Sequence, residues 1–458
     1  MLVAVDLHAH SMFAGGAGGI SSSPTRLKES YQRAHARFEE ANITSAKKGI
    51  QVMGSGDIQF KPWLDFFQNY LTEVEEGLFV YSQGSKKVAD ENLLHYLLQT
   101  EIIVTTKYQR WRKASHVVIL FPNLGVVREF HLLLKRLGSK TEKMARPFVT
   151  FGTPEEVSSF FYELIDIDNR VEVIPAHILT PEGVFGGNNG VNRLEDFFGD
   201  FHKMIRVVET GLSADPEIIG LIPELDNRAL LSNSDAHSSA LNRLAREFTV
   251  LNVDELSYGG VIEALREKKI EYTLEFPPTE GRFFFTGHRA GRKKPRPHGK
   301  SEFCYFSPDR IPEGNICPIC GGELTKGVLH RAFEIAKAQG DKRSLEQAVV
   351  SQRYVHGVPL IEAVAVGLGL KSISSKKVRL VYDRIIDFFG SEVNLWREDP
   401  LRVDEMLVGL PVPEDVKRVI CEIKHDNFTF DPPGFDGQYG RLVVGKKTPY
   451  LGMEVINK

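Results

Sequence analysis

The sequence has no long hydrophobic run and few cysteines, and both shortages narrow the class of protein. No apolar run reaches the ~20 residues that span a bilayer, and Met1-Leu-Val-Ala-Val-Asp6 reaches an acidic residue too early for a signal-peptide core. The chain has four cysteines in 458 residues, and three of them lie between 304 and 320. That distribution suits a metal site in a reduced compartment better than disulfides. We therefore expect a cytoplasmic protein with no membrane partner.

The chain also has little net charge. Its formal charge of −3 by itself predicts neither a nucleic-acid binder nor a membrane-surface protein. The segment from Arg282 to Lys300 is a local exception, because it carries several basic residues and no Asp or Glu. A basic run of this kind is either a phosphate-contacting surface or a solvated linker. The candidate DNA contacts in it are Arg292, Lys293, Lys294 and Arg296.

The length of the chain predicts more than one domain, because single hydrophobic cores usually stop growing well below 458 residues. The pattern changes after Phe276-Pro-Pro278, where aromatic, basic and cysteine-rich segments replace alternating strands and helices. From residue 328, apolar residues recur at helical spacing, as in Leu329-His-Arg-Ala-Phe-Glu-Ile335. The predicted parts are an α/β domain, 1–280, a basic zinc-binding module, 281–327, and a mainly helical domain, 328–458.

Short apolar runs in the first part end close to possible metal ligands. Helical patterns separate several of them, for example 24–48 and 126–137. This layout is typical of an α/β barrel, which places catalytic residues at the carboxyl ends of its strands. His116 is an exception, because it precedes its apolar run. The predicted strands lie at Leu2–Val5, Gln51–Met53, around Leu97 and Leu98, and at Val117–Phe121, Val171–Ile174, Ile205–Val208 and Leu230–Asn233.

Histidines and carboxylates are concentrated in four short motifs near these strand ends. The motifs are Asp6-Leu-His-Ala-His10, Gly54-Ser-Gly-Asp57, Pro175-Ala-His177 and Ser234-Asp-Ala-His237. Imidazole binds zinc, iron or manganese, and bridging carboxylates hold several ions together. Each motif alone is weak, but their recurrence at strand ends predicts one metal site. The candidate ligands are His8, His10, Asp57, Glu101, His116, His177, Asp235 and His237.

This set of motifs resembles the polymerase and histidinol phosphatase (PHP) superfamily over about residues 1–275. The resemblance implies a distorted (β/α)7 barrel that holds two or three divalent ions (Zn, Mn, Mg or Fe) and hydrolyses phosphoesters. It further implies that His8, His10, Glu101 and Asp235 are catalytic ligands of one ion. Glu101 would bridge to a second ion on His116 and His177, and Asp57 and His237 would hold a weaker third ion or orient the attacking water.

Two departures from the PHP pattern bear on the third ion. The second motif of that family usually ends in Thr-Asp-His, but here it ends Gly56-Asp57-Ile58. A further histidine often follows the first motif, and none occurs between Met12 and Gly19. The sequence therefore predicts two firmly held ions and a weakened third site. Glu209 is interpreted as a residue that supports the ligands without binding metal.

Cysteines in the second part predict a structural zinc. Cys317-Pro-Ile-Cys320 has the tight turn that forms half of many zinc ribbons. Cys304 is the third candidate ligand. His298 is the expected fourth, and His288 remains the alternative.

The PHP motifs, the cysteine module and the helical tail together resemble the endonuclease Q family over nearly the whole chain. The resemblance implies a DNA-repair enzyme that cuts the phosphodiester 5′ of deaminated bases (uracil, hypoxanthine, xanthine) or at abasic sites. A flipped base needs an aromatic or apolar filler, and Phe283–Phe285, Tyr305 and Phe306 are candidates for it, with ordinary packing between domains as the alternative. We expect a monomer whose partner is damaged DNA, and the sequence identifies no protein partner in repair or replication.

Two rival functions stay open from the sequence. A PHP-type small-molecule phosphoesterase would use the same metal ligands without needing the cysteine module or the basic run. A zinc-dependent DNA-binding protein would carry a degenerate PHP domain, and Ile58 in place of a histidine favours it.

Overall fold

The chain is a mixed α/β protein with a large central sheet. The computed structural model describes residues 1–14, 24–81, 93–141, 143–187, 189–293 and 296–457. The strands are β1 Leu2–Asp6, β2 Val52–Gly54, β3 Leu71–Glu75, β4 Leu78–Tyr81, β5 His95–Tyr108, β6 Trp111–Phe121, β7 Phe148–Thr150, β8 Glu172–Pro175, β9 Val207–Glu209, β10 Ala229–Leu231, β11 Phe248–Asn252, β12 Ile270–Glu275, β13 Thr286–His288, β14 Phe303–Phe306, β15 Tyr354–His356, β16 Phe428–Asp431, β17 Arg441–Val444 and β18 Glu454–Asn457. The helices are α1 Pro24–Lys48, α2 Lys61–Tyr70, α3 Leu124–Arg136, α4 Pro154–Ile167, α5 Glu195–Phe198, α6 Pro216–Ile219, α7 Tyr258–Arg266, α8 Val328–Ala338, α9 Leu360–Gly367, α10 Lys376–Phe389, α11 Glu392–Arg397, α12 Pro400–Val408 and α13 Glu414–Lys424.

Local sequence signals start several of these helices. The Asn123 side chain accepts hydrogen bonds from the first free amides of α3, and the Thr153 side chain does the same at α4, where Pro154 takes the first helical position. The helices predicted over 24–48 and 126–137 are confirmed as α1 and α3. No helix among the residues that the structure describes is long and apolar enough to cross a membrane.

The central sheet is built around β1. Strand β1 runs parallel to β2 and antiparallel to β11, and β2 runs parallel to β5. Strand β5 then pairs with β6, and β6 pairs with β8, both in antiparallel fashion. Val3, Ala4 and Val5 are buried on both faces of β1, as expected for a central strand covered on both sides.

Contacts beyond these ladders link the remaining two strands of the predicted barrel. The backbone N–H of Ile178, after β8, donates to the carbonyl of Glu209 in β9 (3.0 Å). Strands β9 and β10 form their own parallel pair. A parallel bridge between Ala9 and Ala236 then connects the chain after β10 with the chain after β1. Seven strands therefore follow one another in a closed series of contacts.

Strands β5 and β6 differ from the sequence prediction in length. The sequence predicted a strand around Leu97 and Leu98 that ends before Glu101, whereas β5 continues through Glu101 to Tyr108. The run after Glu101 is rich in β-branched residues, which favour extended backbone. Strand β6 begins at Trp111, so His116 lies inside a strand and not before one. Glu101 and His116 consequently face the site from the two arms of one long hairpin.

The C-terminal part is mainly helical, as predicted, but it adds strands to both other parts. Strand β15 extends the central sheet by pairing with β12, and β18 completes a small sheet with β13 and β14. These pairings cross positions 280 and 327. We keep the three-part division as a proposal about sequence organisation.

His356 in β15 connects three segments through its ring. Its Nε2 lies 3.1 Å from the carboxylate of Asp215, and its Nδ1 lies 2.9 Å from that of Asp426. Burial alone would lower the pKa of His356, but the hydrogen bonds to Asp215 and Asp426 outweigh it and raise the pKa to about 10. The folded chain therefore holds this imidazole in its charged form.

We expect His356 to make stability depend on pH. A raised pKa means that its contribution is complete below the unfolded value of ~6.5 and is lost as the pH rises toward about 10. Between pH 6.5 and 9.5, His356→Gln should lose less unfolding free energy than the native chain, measured by urea denaturation. His425→Gln, at a histidine that is 40% exposed, is the control. Equal losses in His356→Gln and the native chain would contradict this expectation.

Candidate metal centre

The first and last motifs are held together by a buried carboxylate. Asp6, at the end of β1, accepts hydrogen bonds from the Ser234 amide (2.9 Å), the Ser234 hydroxyl (2.5 Å) and the Ala245 amide (2.9 Å). The His10 amide donates to the Ala236 carbonyl at 2.9 Å. Hydrogen bonds within the protein therefore fix the two His-containing loops against each other without a metal ion.

The structure brings seven of the eight predicted ligands into three overlapping groups. In each group the candidate ligand atoms lie within 4.8 Å of one another. Glu101 belongs to two groups and His10 to two, so the groups share ligands. The groups are His8, His10 and Glu101; Glu101, His116 and His177; and His10, Asp235 and His237.

Short distances join these groups into one cluster. The Asp235 Oδ1 atom lies 2.9 Å from His10 Nε2 and 3.7 Å from His8 Nε2. Glu101 Oε1 lies 2.5 Å from His116 Nδ1 and 3.6 Å from His177 Nε2. The Glu101 carboxylate thus lies close to ligands of two groups, as a carboxylate that bridges two ions does.

Several buried atoms of the cluster face one another at short distances but make no hydrogen bond of acceptable geometry with any described residue. Buried polar atoms are normally paired, so each exception calls for a physical explanation. A divalent ion is one, because nitrogen and carboxylate oxygen donors are the ligands that zinc, iron and manganese take. The donor set therefore fits a metal centre. The atoms are His8 Nε2, His10 Nε2, Glu101 Oε1, His116 Nδ1 and Asp235 Oδ1.

The opposite nitrogens of the first two histidines are held by carboxylates. His8 Nδ1 lies 3.0 Å from Glu209, which also accepts the His177 amide at 2.8 Å. His10 Nδ1 lies 3.4 Å from Asp57. Such a carboxylate fixes the tautomer and the orientation of a metal-binding histidine. Glu209 thus occupies the supporting position that its sequence context indicated.

Asp57 is the predicted ligand that the structure does not group with the others. Its second oxygen accepts hydrogen bonds from the amide and the hydroxyl of Ser11, at 2.8 and 2.6 Å. Asp57 contacts the Nδ1 side of His10, whereas Glu101 and Asp235 face its Nε2 atom. We infer that Asp57 orients His10, and its role as a ligand stays a prediction.

Ile58 fills the position where the PHP pattern has a histidine. Its side chain is fully buried in the hydrophobic core, and an aliphatic side chain offers no atom that binds a metal. His10, Asp235 and His237 nevertheless form a third group of donors. A third site would therefore be weakened because it has fewer donors. The number of bound ions stays a prediction.

Opposite charges dominate the electrostatics of the cluster. Burial alone would lower the pKa of His8 and His10, but Glu209 and Asp235 raise the pKa of His8 to about 9, and Asp235 and Asp57 raise that of His10 to about 10. The pKa of Asp235 falls below its usual range, because His8 and His10 outweigh the opposing effect of burial. In the metal-free chain, protons on these histidines balance the carboxylates, and a bound cation would replace them.

Backbone strain coincides with the cluster. Asp57, His177 and Asp235 have φ values of 46°, 29° and 47°, in the left-handed region that few residues other than glycine adopt. Such conformations persist where the surrounding structure holds them, and they are common at functional sites. At Gly211, with a φ of 76°, a Cβ atom would lie 2.5 Å from His177 Cβ. That approach requires glycine beside the ligand.

A cavity of about 580 Å³ opens beside the cluster. It reaches from His116, His177 and Asp235 to Arg282, Phe283 and Tyr439 in the later parts of the chain. The Arg282 guanidinium lies over both rings, 5.6 Å from the centre of Phe283 and 5.4 Å from that of Tyr439. Further arginines on its wall are Arg146, Arg243 and Arg246.

The cavity corrects one expectation about aromatic residues. Phe283 lines it, but Phe284, Phe285, Tyr305 and Phe306 are at most 5% exposed and pack in the interior. These four residues therefore contribute to packing and do not fill the place of a flipped base. Tyr439, which is 46% exposed, is an aromatic lining residue that the sequence analysis missed, because no local motif marks it.

The chain is similar to known proteins over part or nearly all of its length. No protein-family model matches the chain. An uncharacterized protein of Methanocaldococcus jannaschii is 28% identical over 253 residues, which are 54% of this chain and 29% of that protein, so the chain spans less than a third of it. The uncharacterized protein YqxK of Bacillus subtilis is 25% identical over 452 residues, which are 95% of this chain and 98% of that protein.

Two solved structures match over almost the full length. The lesion-specific endonuclease PfuEndoQ from Pyrococcus furiosus is 26% identical, with a TM-score of 0.73, over 97% of this chain and 96% of that chain. Endonuclease Q in complex with a 27-mer duplex substrate that has an abasic lesion at the active site is 25% identical, with a TM-score of 0.73, over 99% of both chains. Our chain has the endonuclease Q fold. The resemblance to endonuclease Q over nearly the whole chain is confirmed.

Within this endonuclease Q fold, the cysteine module brings five possible zinc ligands together. His298 Nε2 lies 3.3 Å from Cys317 Sγ, and His288 Nδ1 lies 3.4 Å from Cys320 Sγ. These four residues form a group whose ligand atoms lie within 4.8 Å of one another. Cys304 lies outside that group, although its sulfur is 3.6 Å from Cys317 Sγ. His288, the alternative ligand, is therefore positioned to bind zinc just as closely as His298, the expected ligand.

The basic run is partly engaged inside the molecule. The Arg292 guanidinium donates to Asp436 at 2.7 Å, and that of Arg296 donates to the carbonyl of Gly321 at 2.9 Å. Lys293 is exposed, whereas Lys294 lies outside the described residues. DNA contacts by these four residues stay a prediction, and the structure gives two of them an internal role.

Proposed function

We propose that this chain is a metal-dependent DNA endonuclease that cuts one strand 5′ of a deaminated base or at an abasic site. The observation that carries the proposal is the set of three shared-ligand groups beside a large cavity in an endonuclease Q fold. The full-length likeness to a structure that holds a duplex with an abasic lesion supports DNA as the substrate.

The ligand groups suit a site with several ions. Two neighbouring divalent cations supply Lewis-acid activation of a phosphoryl oxygen and a water of lowered pKa. His8 and His10 would hold one ion, His116 and His177 would hold the second, and Glu101 would serve both. His237 and Asp235 would complete a third position with His10. No nucleophilic serine, cysteine or lysine is then needed.

Protein residues around the cluster provide the rest of the chemistry. Arg146 donates to Glu101 at 3.0 Å and also lines the cavity, so it can hold the bridging carboxylate and meet a substrate phosphate. Arg243, Arg246 and Arg282 add positive charge on the cavity wall. The cavity has the volume of a ligand pocket, and Phe283 and Tyr439 offer ring faces for an unstacked base.

We further propose that the seven strands in closed contact form the distorted barrel of the PHP superfamily. Strands β1, β2, β5, β6 and β8 are joined by ladders, and the β9–β10 pair closes the series through single contacts. The ligands lie where β1, β2, β8 and β10 end and within the β5–β6 hairpin. The distortion comes from the antiparallel strand β6.

The function predicts a specific nick. A labelled duplex with one deoxyuridine, deoxyinosine or abasic site, incubated with Mn²⁺, Mg²⁺ or Zn²⁺, should be cut once in the lesion strand on the 5′ side of the lesion. The undamaged duplex is the control, and denaturing gels with size standards locate the cut.

The same assay discriminates between the rival functions. Binding of the duplex without cleavage at any metal loading would support the DNA-binding protein with a degenerate PHP domain. Hydrolysis of p-nitrophenyl phosphate without cleavage of DNA would support the small-molecule phosphoesterase. Either result would overturn the proposed function.

A further inference from the structure

We propose that the tip of the β5–β6 hairpin is an arm that contacts the duplex about half a helical turn away from the cut. The inference rests on the proposed function, because it takes the metal cluster as the place of cleavage. The arm is defined here as residues 107–113, which include the turn between β5 and β6.

The hairpin rises from the face that carries the metal cluster. The last residue of β2, Gly54, pairs with Leu97, and the site loop begins directly after it. Strand β5 runs parallel to β2 but continues to Tyr108, beyond the level where β1 and β2 end. The arm therefore projects on the side of the sheet where the ligands lie.

The base and the tip of the hairpin are linked by continuous strand. Ile103 pairs with His116, two residues after Glu101, and Tyr108 pairs with Trp111 at the tip. Trp111 lies five positions before His116 along β6, which at ~3.3 Å per position places the tip roughly 17 Å from the cluster. Because B-DNA rises ~3.4 Å per base pair on each strand, that distance corresponds to about five base pairs.

The chemistry of the tip fits a nucleic-acid backbone. Trp111 is 69% exposed, which is unusual for so large an apolar ring. Lys107 and Arg110 are exposed, and neither forms an ion pair with any described residue. Between Lys107 and Arg146 the sequence has ten Lys and Arg against two Asp and Glu, in a chain whose net charge is −3. The charge of this segment is complementary to phosphates.

Other contacts brace the arm in place. The Asn189 side chain donates to the carbonyl of Ala114 at 2.7 Å, and its oxygen accepts from the backbone amide of Ala114 at 3.3 Å. The Arg112 guanidinium donates to Thr105 Oγ1 and to the carbonyl of Phe151, at 3.1 and 3.2 Å. The Arg112 guanidinium thus bonds within the protein, and the side chains of Lys107, Arg110 and Trp111 are available to contact DNA. A braced arm loses little conformational freedom when it binds.

The experiment compares arm variants on long and short duplexes. The variants are Trp111→Ala and the double change Lys107→Ala with Arg110→Ala in the full chain. Leu401→Ala, at an apolar residue of α12 that is 67% exposed, and Lys371→Ala are matched surface controls. Lesion duplexes are shortened in steps from ~15 to ~3 base pairs on each side of the lesion, and dissociation constants, KM and kcat are measured.

The expected results differ between the two variants. Loss of the Trp111 ring from the contact with the duplex should weaken binding of the long duplex by about tenfold in Trp111→Ala, because buried tryptophans carry much of the binding energy of an interface. Loss of two phosphate contacts should reduce the slope of log affinity against log salt by about 1.8 in the double variant. Both effects should disappear on one side of the lesion once that flank is shorter than about five base pairs, and the controls should match the native chain.

Each outcome decides either the arm or the function. If the native chain cuts the lesion duplex and the arm variants bind and cut like it at all lengths and salt concentrations, the inference is wrong and the proposed function stands. If the native chain binds without cutting and the arm variants bind less tightly, the function is wrong and the arm is supported. If the native chain neither binds nor cuts, both are overturned.

Discussion

Asp235→Asn should lower hydrolysis of a lesion duplex by about a thousandfold at matched metal loading. The carboxylate of Asp235 lies 2.9 Å from His10 and 3.7 Å from both His8 and His237, so it meets the donors of two groups. An amide at this position keeps the shape of the side chain but removes the negative charge that holds a cation. The loss should appear in kcat.

The fold should survive this substitution for a backbone reason. Asp235 has a φ of 47°, and asparagine is among the few side chains that tolerate the left-handed region. Thermal unfolding and circular dichroism of the metal-free protein should therefore match those of the native chain. Asp254→Asn, at a carboxylate that is 82% exposed, controls for the loss of one negative charge. Native turnover in Asp235→Asn, with its metal content measured, would refute the assignment of the centre.

His288→Ala should abolish the structural zinc, and Cys304→Ala should leave it bound. We propose a Cys₂His₂ site made by Cys317, Cys320, His298 and His288. Both histidines have the second nitrogen on a backbone carbonyl, His288 on Glu323 at 2.8 Å and His298 on Glu302 at 3.0 Å. That arrangement orients a zinc-bound imidazole.

The sulfur of Cys304 lies beside the proposed site, 3.6 Å from Cys317 Sγ, but outside the group of four ligand atoms. Burial and the neighbouring sulfur of Cys317 raise the pKa of the Cys304 thiol to about 12 in the metal-free chain. Because a bound zinc would deprotonate any coordinating thiol, the choice of His288 over Cys304 rests on the positions of the ligand atoms. This set of ligands departs from the sequence prediction, which chose Cys304 and left His288 as the alternative.

Zinc content and stability together test the choice of ligands. Structural zinc contributes on the order of 10 kcal/mol to small domains, so the His288→Ala module should unfold and the chain should lose one equivalent of zinc by elemental analysis. His202→Ala, at a partly buried histidine outside the cluster, is the control. Retention of the zinc in His288→Ala, with its loss in Cys304→Ala, would restore the ligand set that the sequence favoured.

Much of the site was predictable because its ligands come in local motifs. His8 and His10, or Asp235 and His237, are two residues apart, and each pair follows an apolar run that forms a strand. Glu101 was predicted from the apolar run at Leu97 and Leu98 that precedes it and from its family position, but it was placed after a strand, whereas it lies inside β5. An apolar run therefore indicated the ligand without indicating where the strand ends.

Other parts of the site depend on contacts that sequence spacing does not encode. Arg146 meets Glu101 from a loop, and Tyr439 reaches the cavity from the C-terminal part. Arg292 was predicted as a DNA contact, yet Asp436, far along the chain, binds its guanidinium. Local charge predicts a basic surface well only where no acidic partner arrives from a distant segment.

Strand β18 sets an order for biosynthesis. It pairs with β14, and its residues follow those of β14 by about 150 positions, which a ribosome needs roughly 7–30 s to add. During that interval the outer edge of β14 has no strand to bond to, and unpaired edges attract other chains. The sheet of β13, β14 and β18 is therefore completed only after these residues have been added, and until then the nascent chain exposes an unpaired strand edge at β14.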